Sequence, residues 1–137
     1  MSKAVRISLP PRAESVPIAR RAVTEAAQRW MTPAQTPPLV LMVSEVVTNA
    51  LLHGGDGGDV ELAVVEEDGV VRVEVCDHGD GFVPEPKALD PDGDGGFGLY
   101  LVEQLSDRWG WSRSDRTTVW FELEVERAGA PATTWTG

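Results

Sequence analysis

Two short runs of alternating hydrophobicity, joined by one dipeptide, constrain this chain more than any other feature. Val60, Leu62 and Val64 share one face of an extended segment, and Val71, Val73 and Val75 share one face of the next. Between them stands Asp68-Gly69, a pair that accepts the positive φ angles a tight hairpin turn requires. The pattern predicts an antiparallel strand pair with one apolar face. Such a face needs helices laid over it. The second strand delivers Cys76 and Asp77 at its end, and six of the fourteen glycines follow between Gly79 and Gly98.

The rest of the chain supplies the cover. Residues 5–9 alternate and predict a first strand, closed by Pro10-Pro11. Ser15 is a candidate N-cap. Val16, Ala19, Val23, Ala26 and Trp30 recur at helical spacing over 15–30, with Arg20, Arg21, Glu25 and Arg29 on the outer side. Those arginines read as a solvated face or as a partner contact. Pro33, Pro37 and Pro38 mark residues 31–38 as a loop, and a second helix is predicted from near Pro38 to His53. Val43, Val46, Val47, Ala50 and Leu51 pack inward from it. A third helix is expected from Leu99 to about Arg108, then a short strand at 109–112 and a last strand carrying Val119, Phe121, Leu123 and Val125. The order β-α-α-β-β-loop-α-β-β predicts an α+β fold, a two-layer sandwich with helices on one face of a mostly antiparallel sheet. Residues 1–127 are expected to form the domain and 128–137 a flexible tail.

Composition excludes several function classes. With 12 Lys and Arg against 22 Asp and Glu, the formal charge is −10, which argues against a broad nucleic-acid surface. No apolar run reaches the roughly 18 residues of a membrane span, and none near the N-terminus forms a signal core. A single cysteine makes no internal disulfide, which fits a reducing cytoplasm. Cys76 is expected in the core, and Trp109, Trp111 and Trp120 are expected to pack together. His53 and His78 lack partners at zinc-ligand spacing.

Three groups of residues carry chemistry. Glu45, Asn49 and His53 lie at i, i+4 and i+8, on one helix face. An amide oxygen suits Mg²⁺ alongside water and phosphate, and a carboxylate one turn away can accept a proton. By itself the pair also reads as a polar helix face. Asp77, at a strand end, can accept a hydrogen bond from an exocyclic amine such as adenine N6, or close an Asx turn. The run Gly93-Asp94-Gly95-Gly96-Phe97-Gly98-Leu99 satisfies G-x-G-x-x-G, but no buried strand precedes it directly, and no Gly-Lys-Ser/Thr is present. It better suits a lid leading into a helix N-terminus, where free N–H groups favour phosphate. Lys87 is the one Lys or Arg between His78 and Asp107, so binding of a nucleotide is expected to depend on the metal.

Together these motifs resemble the gyrase, heat-shock chaperone, histidine-kinase and MutL (GHKL) ATP-binding superfamily, with its Bergerat-type fold, over about residues 5–126. Glu45-x-x-x-Asn49-Ala50 with His53-Gly54 looks like the N box, Asp77-x-Gly79-x-Gly81 like the first glycine box, and Gly93 to Leu99 like the second. The resemblance implies Glu45 as general base and Asn49 as Mg²⁺ ligand, with His53 completing the N box. It implies Asp77 on adenine N6, Gly79 and Gly81 lining the pocket, and Gly93, Gly95, Gly96, Gly98 and Leu99 at the phosphates. Thr117 matches a threonine that helps hold adenine, although Arg116 stands where the family usually has glycine. The run Val43 to Ala50 with Asp107-Arg108-Trp109-Gly110 is most similar to the bacterial anti-sigma-factor serine kinases. That branch implies ATP and Mg²⁺ as cofactors, a sigma factor and an antagonist protein as partners, transfer of phosphate to a serine, and often a homodimer. A binding module that sequesters a regulator without transfer is the alternative expectation.

Overall fold

The computed structural model describes residues 3–53, 58–78 and 97–126, with His53 and Phe97 described by their backbone alone. Strand β1 spans Lys3–Leu9, helix α1 Ser15–Trp30, helix α2 Thr36–His53, strand β2 Val60–Glu67 and strand β3 Val70–Asp77. Helix α3 spans Phe97–Leu105, strand β4 Arg108–Arg113 and strand β5 Thr117–Glu124. The strands form one antiparallel sheet in the order β1-β2-β3-β5-β4. The fold is α+β, as the alternation and helical periodicity imply.

The hairpin of β2 and β3 forms as its sequence dictates. Asp68 and Gly69 take φ values of 52° and 79°, the paired positive angles of a two-residue turn. Val71, Val73, Val75 and Asp77 alternate to the buried side of β3. The buried side of β5 holds Thr117, Val119, Phe121 and Leu123. On α2, Leu39, Met42, Val43, Val46, Val47 and Ala50 recur at three and four residues and are all buried. They meet Ala19, Val23 and Ala27 of α1 and Leu99 and Val102 of α3 in a single core. Each fully buried Val, Leu, Met or Phe there contributes roughly 1.5–3 kcal/mol.

Several local expectations are corrected. α2 begins at Thr36, two residues before Pro38, after a 3-10 turn at Pro33–Gln35, so residues 31–38 are not a loop throughout. Prolines are tolerated in a first helical turn because its N–H groups have no intrahelical acceptor. Ser15 does not cap α1. Glu14 holds the cap position without a side-chain bond, and Ser15 Oγ donates instead to the Pro10 carbonyl, tying the helix to the strand it leaves. α3 stops at Leu105, and Arg108 opens β4 opposite Glu122.

The outer face of the sheet corrects two more. Cys76 is half-buried on that face, because period-two alternation turns it away from its inward neighbours Val75 and Asp77. Trp120 also faces outward, while Trp109 and Trp111 pair with the inward residues Phe121 and Val119. The three tryptophans therefore do not share a cluster. Arg72 stacks 4.1 Å over the Trp120 ring and bonds Glu74 at 2.7 Å and Glu122 at 2.9 Å. Arg108 reaches Glu122 at 2.8 Å from the other side. This network covers apolar surface that no helix covers.

Candidate functional site

The inner ends of two strands and the facing sides of two helices place the predicted residues. Asp77 is the last residue of β3 and Thr117 the first of β5, and the register sets them directly opposite one another. Both are nearly inaccessible, at 6% and 2% exposure. The adjacency arises because α3 and edge strand β4 intervene in sequence while β5 inserts beside β3. A carboxylate and a hydroxyl side by side on the inner face can bind the amine and ring nitrogens of a purine.

Arg116 does not intrude on this pair. Its guanidinium donates across the sheet edge to Cys76 Sγ at 3.9 Å. Cys76 belongs to the outer face, so the arginine that replaces the family's usual glycine points away from the surface carrying Asp77 and Thr117.

The second group lies on α2 and α3. Asn49 is buried at 8% exposure, and its Nδ2 finds no hydrogen-bond partner among the described residues. An orphaned amide in a packed interior costs about 1–3 kcal/mol, which natural folds seldom retain without a use. Oxygen and nitrogen of such an amide exchange by a flip, so the position serves equally as an oxygen donor. Glu45, one turn earlier, is half-buried. Gly98, in the first turn of α3, packs directly on it. A Cβ at Gly98 would lie 2.5 Å from Glu45 Oε2 and 2.9 Å from its Cβ. Leu99 is fully buried behind them. α2 packs against both β3 and α3, so the two groups sit on elements in contact.

An oxygen-seeking cation fits this donor set on stated terms. Among the described residues no three His, Cys, Asp or Glu side chains converge on a metal site. One amide with a neighbouring carboxylate suits Mg²⁺, which keeps waters and takes substrate phosphates as ligands, and does not suit zinc. His53 ends α2 as predicted. Gly79, Gly81, Gly93, Gly95 and Gly96 lie outside the described residues. The contact between Gly98 and Glu45 escaped sequence reasoning, which assigned Gly98 to phosphate alone. Its signal was a glycine inside a helix, where alanine is the better helix former.

Comparison with known proteins gives the family and the fold. Residues 9–123 match the family of histidine kinase-like ATPase domains. An anti-sigma F factor of Geobacillus stearothermophilus is 34% identical over 95 residues, 66% of this chain and 65% of that protein. An anti-sigma F factor of Clostridium acetobutylicum is 43% identical over 53 residues, 37% of each chain. The matched stretches thus span less than two thirds of those relatives' own length. A crystal structure of the RsbU and RsbW domains of a Mycobacterium tuberculosis protein superposes with a TM-score of 0.73 at 20% identity, covering 92% of this chain and 33% of that one. Among the described residues no helix is long and apolar enough to cross a membrane.

Proposed function

The chain belongs to the histidine kinase-like ATPase domain family, and on that footing we propose that it is a Mg-ATP-dependent anti-sigma-factor serine kinase. The observation that carries the reading is the buried amide of Asn49, whose Nδ2 has no hydrogen-bond partner among the described residues, one turn from Glu45, which packs on the first turn of α3. Sequence similarity to two anti-sigma F factors supports a sigma factor as one partner. The substrate protein is a second partner, an antagonist bearing a serine. The reaction belongs to the cytoplasm, where ATP is available.

In this reading Asp77 accepts a hydrogen bond from adenine N6, and Thr117 holds the ring beside it. Asn49 is the protein ligand of Mg²⁺, which when bound neutralises phosphate charge. Glu45 accepts the proton of the attacking serine hydroxyl. The serine oxygen bonds to the γ-phosphorus, the bond from that phosphorus to the β–γ bridging oxygen breaks, and ADP leaves with that electron pair. Positioning and charge neutralisation supply most of the rate.

The experiment is phosphoryl transfer from labelled ATP, with Mg²⁺, to candidate antagonist proteins. Glu45→Ala should lower transfer by about 10²–10⁴-fold while retaining nucleotide. Transfer equal to wild type in that variant refutes the assignment of the base. The matching relatives are named for antagonising a sigma factor, which favours one other reading: a module that binds nucleotide and a sigma factor without transfer. Binding of a fluorescent ATP analogue with no label on any serine partner selects that reading.

A further inference from the structure

Gly98 is the second residue of α3, in its first turn, a position that accepts most side chains. The backbone of α3 there adopts no positive φ, so conformational freedom does not explain the residue. The neighbour does. An alanine Cβ at this position would meet Glu45 Oε2 at 2.5 Å, Cβ at 2.9 Å and Cδ at 3.2 Å. A Cβ on a helix is rigid, and so is the Glu45 Cβ it would strike. Turning the carboxylate aside relieves only part of the overlap. Among the described residues no hydrogen bond or ion pair involves that carboxylate, and Gly98 of α3 lies directly against it.

We infer that Gly98 is a positioning residue, a bare Cα in which the Glu45 side chain is seated. The approach of α3 to α2 then determines where the carboxylate stands. This rests on the reading of Glu45 as the base. A methyl group at 98 keeps the backbone N–H that would face phosphate, yet pushes the carboxylate off its place. Catalysis is therefore affected apart from nucleotide binding.

Two measurements decide it separately. The first needs no activity. Gly98→Ala is introduced into wild type, into Glu45→Ala and into Glu45→Gln, and unfolding in urea is followed for each. The substitution lowers the midpoint in wild type and in Glu45→Gln, which keeps the shape of the side chain. In Glu45→Ala the midpoint falls by clearly less, because Oε2 and Cδ are gone and only the Cβ contact remains. Equal shifts in all three backgrounds overturn the seat. The second is the split between transfer and binding. Gly98→Ala lowers kcat by about 10- to 100-fold, with nucleotide Kd within about twofold of wild type. Loss of affinity with unchanged kcat overturns the positioning role and returns Gly98 to the phosphates. If wild type transfers no phosphate, the kinase reading fails, and the urea series still decides whether Glu45 is seated on Gly98.

Discussion

Removing the side chain thought to hold the metal should make the protein more stable. Asn49 is buried at 8% exposure in the C-terminal half of α2, and its Nδ2 has no partner among the described residues. Replacing it with alanine removes a desolvated group whose cost is about 1–3 kcal/mol. Alanine also gains up to about 0.7 kcal/mol of helix propensity over asparagine. Against this stands the void left by the amide, roughly 1 kcal/mol at about 24 cal/mol per Å³. The balance is a gain of about 1–2 kcal/mol, or a Tm rise of roughly 3–8 °C in a domain of this size. Thermal melting without nucleotide measures it. Melting again with Mg-ATP supplies the functional half: at a concentration about 100 times Kd, wild type gains about 2.7 kcal/mol, and Asn49→Ala gains much less. Loss of more than about 1 kcal/mol in the unliganded variant would show that the amide is structurally partnered. An undiminished shift with Mg-ATP would remove Asn49 from the metal site.

Further outcomes follow from the same geometry. Asp77→Asn keeps shape and burial but loses the charged acceptor, so ATP affinity by fluorescence titration should fall by about 10- to 100-fold; unchanged affinity removes Asp77 from the adenine contact. Glu122 is held below the usual carboxylate range, first by the Arg108 guanidinium, against the opposing effect of burial, and then by Arg72. Its stabilising contribution is therefore present above the unfolded pKa and lost as pH falls through the lower folded one. Glu122→Gln should be less stable than wild type at neutral pH, and the difference should shrink below about pH 4, as read by urea midpoints across pH. Gly110→Ala places a Cβ 2.7 Å from Trp120 Cζ2 across the β4–β5 pair, and urea unfolding should show a loss of about 1–3 kcal/mol.

Local rules reached far into this chain because its elements obey short periods. Alternation over residues 60–64 and 71–75, with Asp68-Gly69 between them, specified the hairpin, since only a one-sided apolar face and positive φ satisfy both. The spacing of Glu45 and Asn49 placed them one turn apart on α2 for the same reason. The place of Cys76 was legible too: period two, which turned Val75 and Asp77 inward, turns Cys76 outward, and the general preference of cysteine for cores does not override that parity.

What no local pattern contained is which elements meet. Asp77 and Thr117 are forty residues apart, and they face each other because β5 pairs with β3 while β4 takes the edge. Glu45 touches Gly98 because α2 and α3 share the core beneath Leu99 and Val102. Residue spacing determines which side of an element a group occupies, through the geometry of one turn or one pleat. The distance between two such sides is decided by the burial of the whole apolar surface, to which every element contributes at once.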